Sequence, residues 1–463
     1  MTKPGQARGR LGLGAGEVAV IGLARSGRAV TRLLARHGAK LYASDSGVGH
    51  DDLTAAVTEL RSLGVAVDSG RHDLKRIAAS SLVVTSPGVP PNAPPLIAAR
   101  AAGVPIVSEI EAALWFLPDQ RYIAITGTNG KTTTTSLAAR LFEAVGHSSV
   151  AAGNIGVPLA EVALLDARPD WITLEVSSFQ LHDTPSIEPT VGILTNLSPN
   201  HLDRYATLEE YYRDKAMLFQ NAGAESRWIS NADDPDSQAM MKGVPGRRWG
   251  FSVRGKADAW LDRSTNMLTV LDKPILNRHE LPLLGDHNVA NALAASLAVM
   301  IGDDAQQTPD AFRRIADALR RFAALEHRIE PVPTNDGLTW INDSKSTNVA
   351  STLVALQGMN RPTVLLLGGR HKGEPYTELA GELRRTGRAL IAYGEAAPHI
   401  EADLKGVVPL RRLGSSFDEV IAAAREMARP GDVVLLSPAC SSYDMFDNYE
   451  QRGRVFKAMV TRS

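Results

Sequence analysis

Short runs rich in Val, Ile, Leu and Thr recur along the chain, each followed by a longer stretch whose apolar residues fall at helical spacing. They include "EVAVIGL" (17–23), "AKLYASD" (39–45), "SLVVTSP" (81–87), "RYIAITG" (121–127), "WITLEVS" (171–177), "VGILTNL" (191–197), "PTVLLLGG" (362–369) and "DVVLLSPA" (432–439). Strands that alternate with helices pair through crossover connections, so the pattern predicts an α/β protein with parallel sheets. A chain of 463 residues exceeds what one core ordinarily serves. Two places interrupt the alternation. At "WFLPDQ" (115–120) a helical segment stops at Pro118 and a strand opens at Arg121; near "RRFAALEHRIEPVPTNDG" (320–337) helical spacing gives way to turns. Three units are therefore expected, at 1–118, 119–325 and 326–463, with no short repeat or low-complexity tract.

Charge narrows the function. With 50 Lys and Arg against 51 Asp and Glu, the chain has no electrostatic footprint for nucleic acid or an anionic membrane, so any phosphate must be bound locally. The single cysteine, Cys440, excludes an internal disulfide and fits a reducing compartment. No apolar run reaches the length of a membrane span, and "MTKPGQARGR" leads into no secretory apolar segment, so a cytoplasmic protein is expected.

"TGTNGKT" (126–132) lies between a strand candidate and a helix candidate. Glycines let several N–H groups face one point, a helix N-terminus adds partial positive charge, and Lys131 adds a full one. Together these suit a phosphate. Gly127, Thr128, Asn129, Gly130, Lys131, Thr132 and Thr133 are the candidate contacts, with the Thr132 hydroxyl placed for Mg2+. Ile125 stands where the general phosphate-loop pattern has its first glycine. A phosphate-bound cation needs a carboxylate, and Glu175 closes a strand where α/β sheets place ligands. Asp286 is expected to cap a helix that carries Asn288 and Asn291 on one face, either as adenine contacts or as capping residues. Thr207 and Glu210 have capping-box spacing ahead of a helix containing Lys215. In the first unit, "EVAVIGLARSGRAV" imitates a dinucleotide fold, yet Ala24 replaces the middle glycine of G-x-G-x-x-G, which weakens an NAD reading.

"TGTNGKT", "NHLD" (200–203), "HNVANALAA" (287–295) and "LLSPACSSYDMFDNYEQRG" (435–453) resemble the Mur ligases, and the tail is similar to their D-glutamate-adding members. The resemblance covers nearly the whole chain after about residue 15. It implies a Rossmann-like N-terminal domain, a P-loop ATPase-like central domain and a Rossmann-like C-terminal domain. The implied activity is ATP-dependent amide ligation of D-glutamate to UDP-N-acetylmuramoyl-L-alanine in cytoplasmic peptidoglycan precursor synthesis, by a monomer.

The same resemblance assigns roles. Two Mg2+ ions would be held by Thr132, Glu175, His201 and a carbamylated Lys215. Asn288 and Asn291 would read the adenine edge, and Arg328, Asp343 and Lys345 would join ATP from the third unit, which is expected to close on the others. Thr347, Lys372, Ser442 and Tyr449 would face the amino acid, Tyr449 standing where the family commonly has phenylalanine. Arg25, Ser26, Asp45 and Ser86 would hold the UDP group, with Asn154 and His201 reaching the substrate from the central unit. Cys440 is expected to be a small buried residue and not a nucleophile. The competing readings are a folate polyglutamylating ligase, a simple ATPase or motor, a nicotinamide dehydrogenase using residues 18–45, and a noncatalytic nucleotide-binding module.

Overall fold

The computed structural model describes residues 16–48, 51–200, 204–323 and 325–462. Among them are three sheets. The first comprises β1 (Glu17–Ile21), β2 (Lys40–Asp45), β3 (Ala66–Ser69), β4 (Leu82–Thr85) and β5 (Ile106–Ser108), in the order β3-β2-β1-β4-β5 and parallel throughout. The order reverses beside β1, which places a crevice at its C-terminal end. Gly27, in the first turn of the following helix, lies so close to the β1 turn that a Cβ there would be 1.7 Å from the Gly22 carbonyl oxygen.

The second sheet holds β6 (Tyr122–Thr126), β7 (Ser149–Gly153), β8 (Trp171–Glu175), β9 (Val191–Leu194), β10 (Arg227–Asn231), β11 (Arg247–Ser252), β12 (Ala259–Asp262), β13 (Met267–Val270) and β14 (Lys273–Asn277). Its order is β14-β13-β12-β11-β10-β9-β6-β8-β7. Pairing is parallel from β7 to β12 and antiparallel at β12-β13-β14. The helix Lys131–Ala144 and the helix Asp286–Gly302 pack together on this sheet. The second is buried over almost its whole length, as expected of a helix apolar on every face. Trp171 stacks on Phe142 with centroids 4.3 Å apart, sealing the far end of that layer.

The third sheet orders β15 (Glu330–Val332), β16 (Thr339–Asn342), β17 (Thr363–Gly368), β18 (Gly387–Tyr393), β19 (Leu410–Arg412) and β20 (Val433–Leu436) as β15-β16-β20-β17-β18-β19. Only β15 runs antiparallel to its neighbour. The edge strands β14 and β15 each carry an exposed proline, Pro274 and Pro331.

Two local expectations are corrected. Asp286 does not cap its helix: Gly285 occupies the cap position, and the Asp286 carboxylate pairs with Arg263 at 2.5 Å. Gly285 has φ +80°, a conformation that suits glycine better than aspartate. The capping box at Thr207 forms by half. Thr207 accepts from the Glu210 N–H, but Glu210 turns its carboxylate to the Ala206 N–H. No helix among the described residues is long and apolar enough to cross a membrane.

Candidate active site

The chain leaves β6 into residues 127–130 and enters the helix at Lys131, so the loop N–H groups and the helix N-terminus share one concavity. Gly130 has φ +83°, and a Cβ there would meet Asn291 Oδ1 at 2.4 Å. The turn after β9 clamps the loop from below. Thr128 N–H donates to the Asn196 carbonyl at 2.8 Å, Asn129 N–H donates to Asn196 Oδ1 at 2.9 Å, and the Thr128 hydroxyl donates to the Ser198 carbonyl at 3.0 Å. Asn196 has no counterpart in the sequence-based site; an asparagine in a post-strand loop carries no local pattern that marks it.

Lys131 Nζ donates to the Gly127 and Thr128 carbonyl oxygens at 2.9 and 2.8 Å. Lys215, buried beneath the loop, donates to the same Gly127 oxygen at 2.8 Å and lies over the Tyr211 ring. Burial lowers the pKa of both lysines, and the Lys131 charge adds to the fall at Lys215, which ends well below the ordinary lysine value. Glu175 receives the Asn154 amide on Oε1 at 2.8 Å, while its buried Oε2 has no hydrogen-bond partner among the described residues.

The third unit closes the concavity from the other side. Arg328 Nη2 donates to the Thr132 hydroxyl at 2.5 Å, and the Ser351 hydroxyl donates to Asn129 Oδ1 at 2.9 Å. Arg328 is flanked by two residues in left-handed backbone, His327 at φ +63° and Ile329 at φ +43°. For a β-branched residue that conformation costs on the order of 1–3 kcal/mol, so the surrounding structure must enforce it. Asp343 does so in part: its Oδ1 accepts the Ile329 N–H at 3.2 Å and its Oδ2 the Ser437 hydroxyl at 2.7 Å. Burial raises the Asp343 carboxyl to about 6 and lowers Lys345 to about 8, the neighbouring Arg328 charge adding to the fall at Lys345.

One cleft of about 290 Å3 thus gathers Thr128 to Thr133, Asn154, Glu175, Asn288 and Asn291 from the central unit, facing Arg328, Asp343, Lys345, Thr347 and Lys372 from the third. The two asparagines are engaged at one end: Asn288 donates to the Leu284 carbonyl, and Asn291 donates to Asn288 and accepts from the Thr134 hydroxyl. Tyr449 lies outside the lining, with its ring 5.0 Å from Lys345 Nζ. Ser442 is buried and also lies outside the lining. Cys440 is fully buried, and burial pushes its thiol up to about 11, against nucleophilic use. His287 and Ser346 also line the cleft and were not singled out from sequence.

The first unit contributes a neighbouring cavity of about 280 Å3, bounded by Ser86, Val89 and Leu96 on one side and Phe179, Gln180 and Tyr205 on the other. Ser86 donates to the Gly22 carbonyl, Asp45 accepts the Leu23 and Gly47 N–H groups, and Arg25 Nη2 reaches the Gly156 carbonyl at 2.8 Å. Ser26 lies in the first turn of the adjoining helix, Arg25–Arg36. Arg25, Ser26 and Asp45 belong to the β1 crevice and line neither cavity. His201 lies outside the described residues, as does Asp203.

A parallel-sheet chain of three units whose phosphate loop is completed by an arginine from the third is the architecture of the Mur ligases, and the chain belongs to that family. Residues 16–108 match the Mur ligase MurD-like N-terminal domain, 125–299 the Mur ligase middle domain and 327–440 the Mur ligase glutamate ligase domain. Relatives in Chromobacterium violaceum and Salinibacter ruber, each named UDP-N-acetylmuramoylalanine–D-glutamate ligase, are 40% and 38% identical, over 95% of this chain and 96% of theirs. Two solved structures from Thermotoga maritima share the fold: UDP-N-acetylmuramate-alanine ligase MurC, with TM-score 0.61 and 19% identity over 95% of this chain and 98% of that one, and the MurF ligase in complex with ADP, with TM-score 0.61 and 16% identity over 96% and 94%.

Proposed function

We propose that the protein joins D-glutamate to UDP-N-acetylmuramoyl-L-alanine at the expense of ATP, forming ADP and phosphate. The observation that carries this reading is the cleft itself: Lys131 and Arg328, from units that meet across it, line one cavity, and Lys372 lines it too. A free carboxylate is too poor an electrophile for an amine. The L-alanine carboxylate would attack the γ-phosphorus as the bond to ADP breaks, giving an acyl phosphate. The D-glutamate amine then attacks the carbonyl carbon, and phosphate leaves with its electron pair. Lys131 and Arg328 stabilise charge on the transferring group, and water is kept out by the contact of the two units.

The donor set fits magnesium. Glu175 Oε2 is a buried oxygen without a hydrogen-bond partner among the described residues, and the Thr132 hydroxyl stands at the same cleft. These residues would hold an ion that offsets the charge of the triphosphate, Arg328 turning from the hydroxyl to a phosphate oxygen. As an ammonium, Lys215 is no metal ligand. Its depressed pKa favours the neutral amine, which can add to CO2: the N–C bond forms, a proton leaves, and an anionic carbamate results. With His201, it would hold a second ion.

The units divide the labour as 1–118 for the UDP group through Arg25, Ser26, Asp45 and Ser86, 119–325 for ATP, and 326–463 for the amino acid through Thr347, Lys372, Ser442 and Tyr449. Asn154 would meet the substrate between the first two. Asn288 and Asn291 would approach the base, and Asp343 and Lys345 the phosphates. On this reading the enzyme would work as a monomer, in the cytoplasm. Phosphate release from ATP should require both the UDP-linked acid and D-glutamate; release that ignores either one overturns the reading.

A further inference from the structure

Two of the residues assigned above to the amino acid, Lys372 and Ser442, sit on separate loops, and one buried side chain fastens those loops together. Lys372 follows β17, and Ser442 follows β20. The loops run side by side, with Gly368 N–H donating to the Pro438 carbonyl at 3.0 Å and Arg370 N–H to the Ser441 carbonyl at 2.9 Å. A Cβ on Gly369 would lie 2.2 Å from the Ser441 oxygen, so they touch backbone to backbone. Beneath this contact lies Tyr376, 1% exposed, with its hydroxyl 3.0 Å from Cys440 Sγ and 2.9 Å from His371 Nδ1.

Those two partners are not incidental. His371 immediately precedes Lys372, and Cys440 stands two residues before Ser442. A phenol has one proton to give and lone pairs to receive with. With a neutral His371, the thiol donates to the phenol oxygen and the phenol donates to Nδ1, so both protons are used. Burial, together with the stacked His399 at 4.4 Å, favours that neutral form. The tyrosine is anchored from behind, since its N–H donates to Asp403 Oδ2 at 2.8 Å. It lines no part of the cleft.

From this geometry we infer that Tyr376 is a positioning residue for the amino-acid substrate: its hydroxyl, held between His371 and Cys440, fixes the spacing of Lys372 and Ser442. The inference rests on the function proposed above. The phenyl ring alone would fill the space, so Tyr376→Phe removes the two polar contacts and keeps the packing. The lost register should weaken binding of the amino acid and leave the ATP and UDP sites, which are built from other elements, as they were.

The test is phosphate release by wild type, Tyr376→Phe, Cys440→Ala and the double variant, varying each of the three substrates in turn, with melting temperatures measured in parallel. Tyr376→Phe should raise KM for D-glutamate about 5- to 10-fold, as expected for loss of roughly one hydrogen bond, with kcat and the other two KM values within about twofold. Cys440→Ala should show a smaller rise, and the double variant should be no worse than Tyr376→Phe. An unchanged KM for D-glutamate overturns the inference and leaves the functional reading intact. So does a parallel rise in all three KM values with a lowered melting temperature, which marks a merely structural role. A wild type without D-glutamate dependence overturns the functional reading, and the inference with it.

Discussion

Arg328 and Thr132 are 196 residues apart in sequence and joined by a 2.5 Å hydrogen bond that spans two units. The arginine is half-buried and reaches the threonine at the start of the phosphate-loop helix. Arg328→Ala is expected to lower kcat for substrate-dependent phosphate release by about 10²–10³-fold, the scale of a lost transition-state donor. Arg328→Lys should recover little, because a point charge cannot reproduce the planar fork. Steady-state kinetics on the two variants, with circular dichroism to confirm folding, check this.

Lys131 reaches back to its own loop carbonyls, which marks it as the charge that the loop keeps in place for a phosphate. Lys131→Ala should abolish turnover, by about 10³-fold or more, and weaken nucleotide binding. Isothermal titration with ATP and the phosphate-release assay measure the two effects separately.

Lys215 offers a different kind of test. Stripping CO2 from buffer and protein should reduce activity, and bicarbonate should restore it in wild type but not in Lys215→Ala. Mass spectrometry of the native protein at mildly alkaline pH should show a gain of one CO2 that the variant lacks. Activity indifferent to CO2 would remove the carbamate from the scheme.

Far from the cleft, Glu17 of β1 holds Arg76 through paired hydrogen bonds at 2.6 and 2.8 Å. The Arg76 hydrogen bond is the chief reason that the Glu17 pKa falls below 4.5. A depressed carboxylate contributes stability above its unfolded pKa and loses it as pH falls through the folded one. Glu17→Gln should therefore cost about 1 kcal/mol at neutral pH, with the gap to wild type closing as pH drops from about 5 to about 3. Urea unfolding across that range measures it.

The parallel sheets and the phosphate loop were legible because both leave local signatures. β6, β8, β9, β17 and β20 are buried apolar runs, and Lys131 stands in a glycine-marked turn at a fixed distance from its strand. The outer strands β10 to β14 were not legible: β11, "RRWGFS", buries only its last two residues outright and so lacks the alternation that marks a half-buried strand. The same limit applies within the site. Asn196, Ser351 and Tyr376 act through contacts with residues 67, 222 and 64 positions away, respectively, and nothing in their immediate neighbours announces such partners. Aspartate suits a cap by residue type, yet the helix places Asp286 one position inside its cap, Gly285. The backbone needed a glycine there instead.

Pro274 and Pro331 sit on the outermost strands of the central and C-terminal sheets. A proline cannot donate to an incoming strand, so each sheet terminates where its own chain stops supplying neighbours. Two molecules meeting edge to edge at these borders find no continuous ladder to extend, which protects these two edges against templated aggregation.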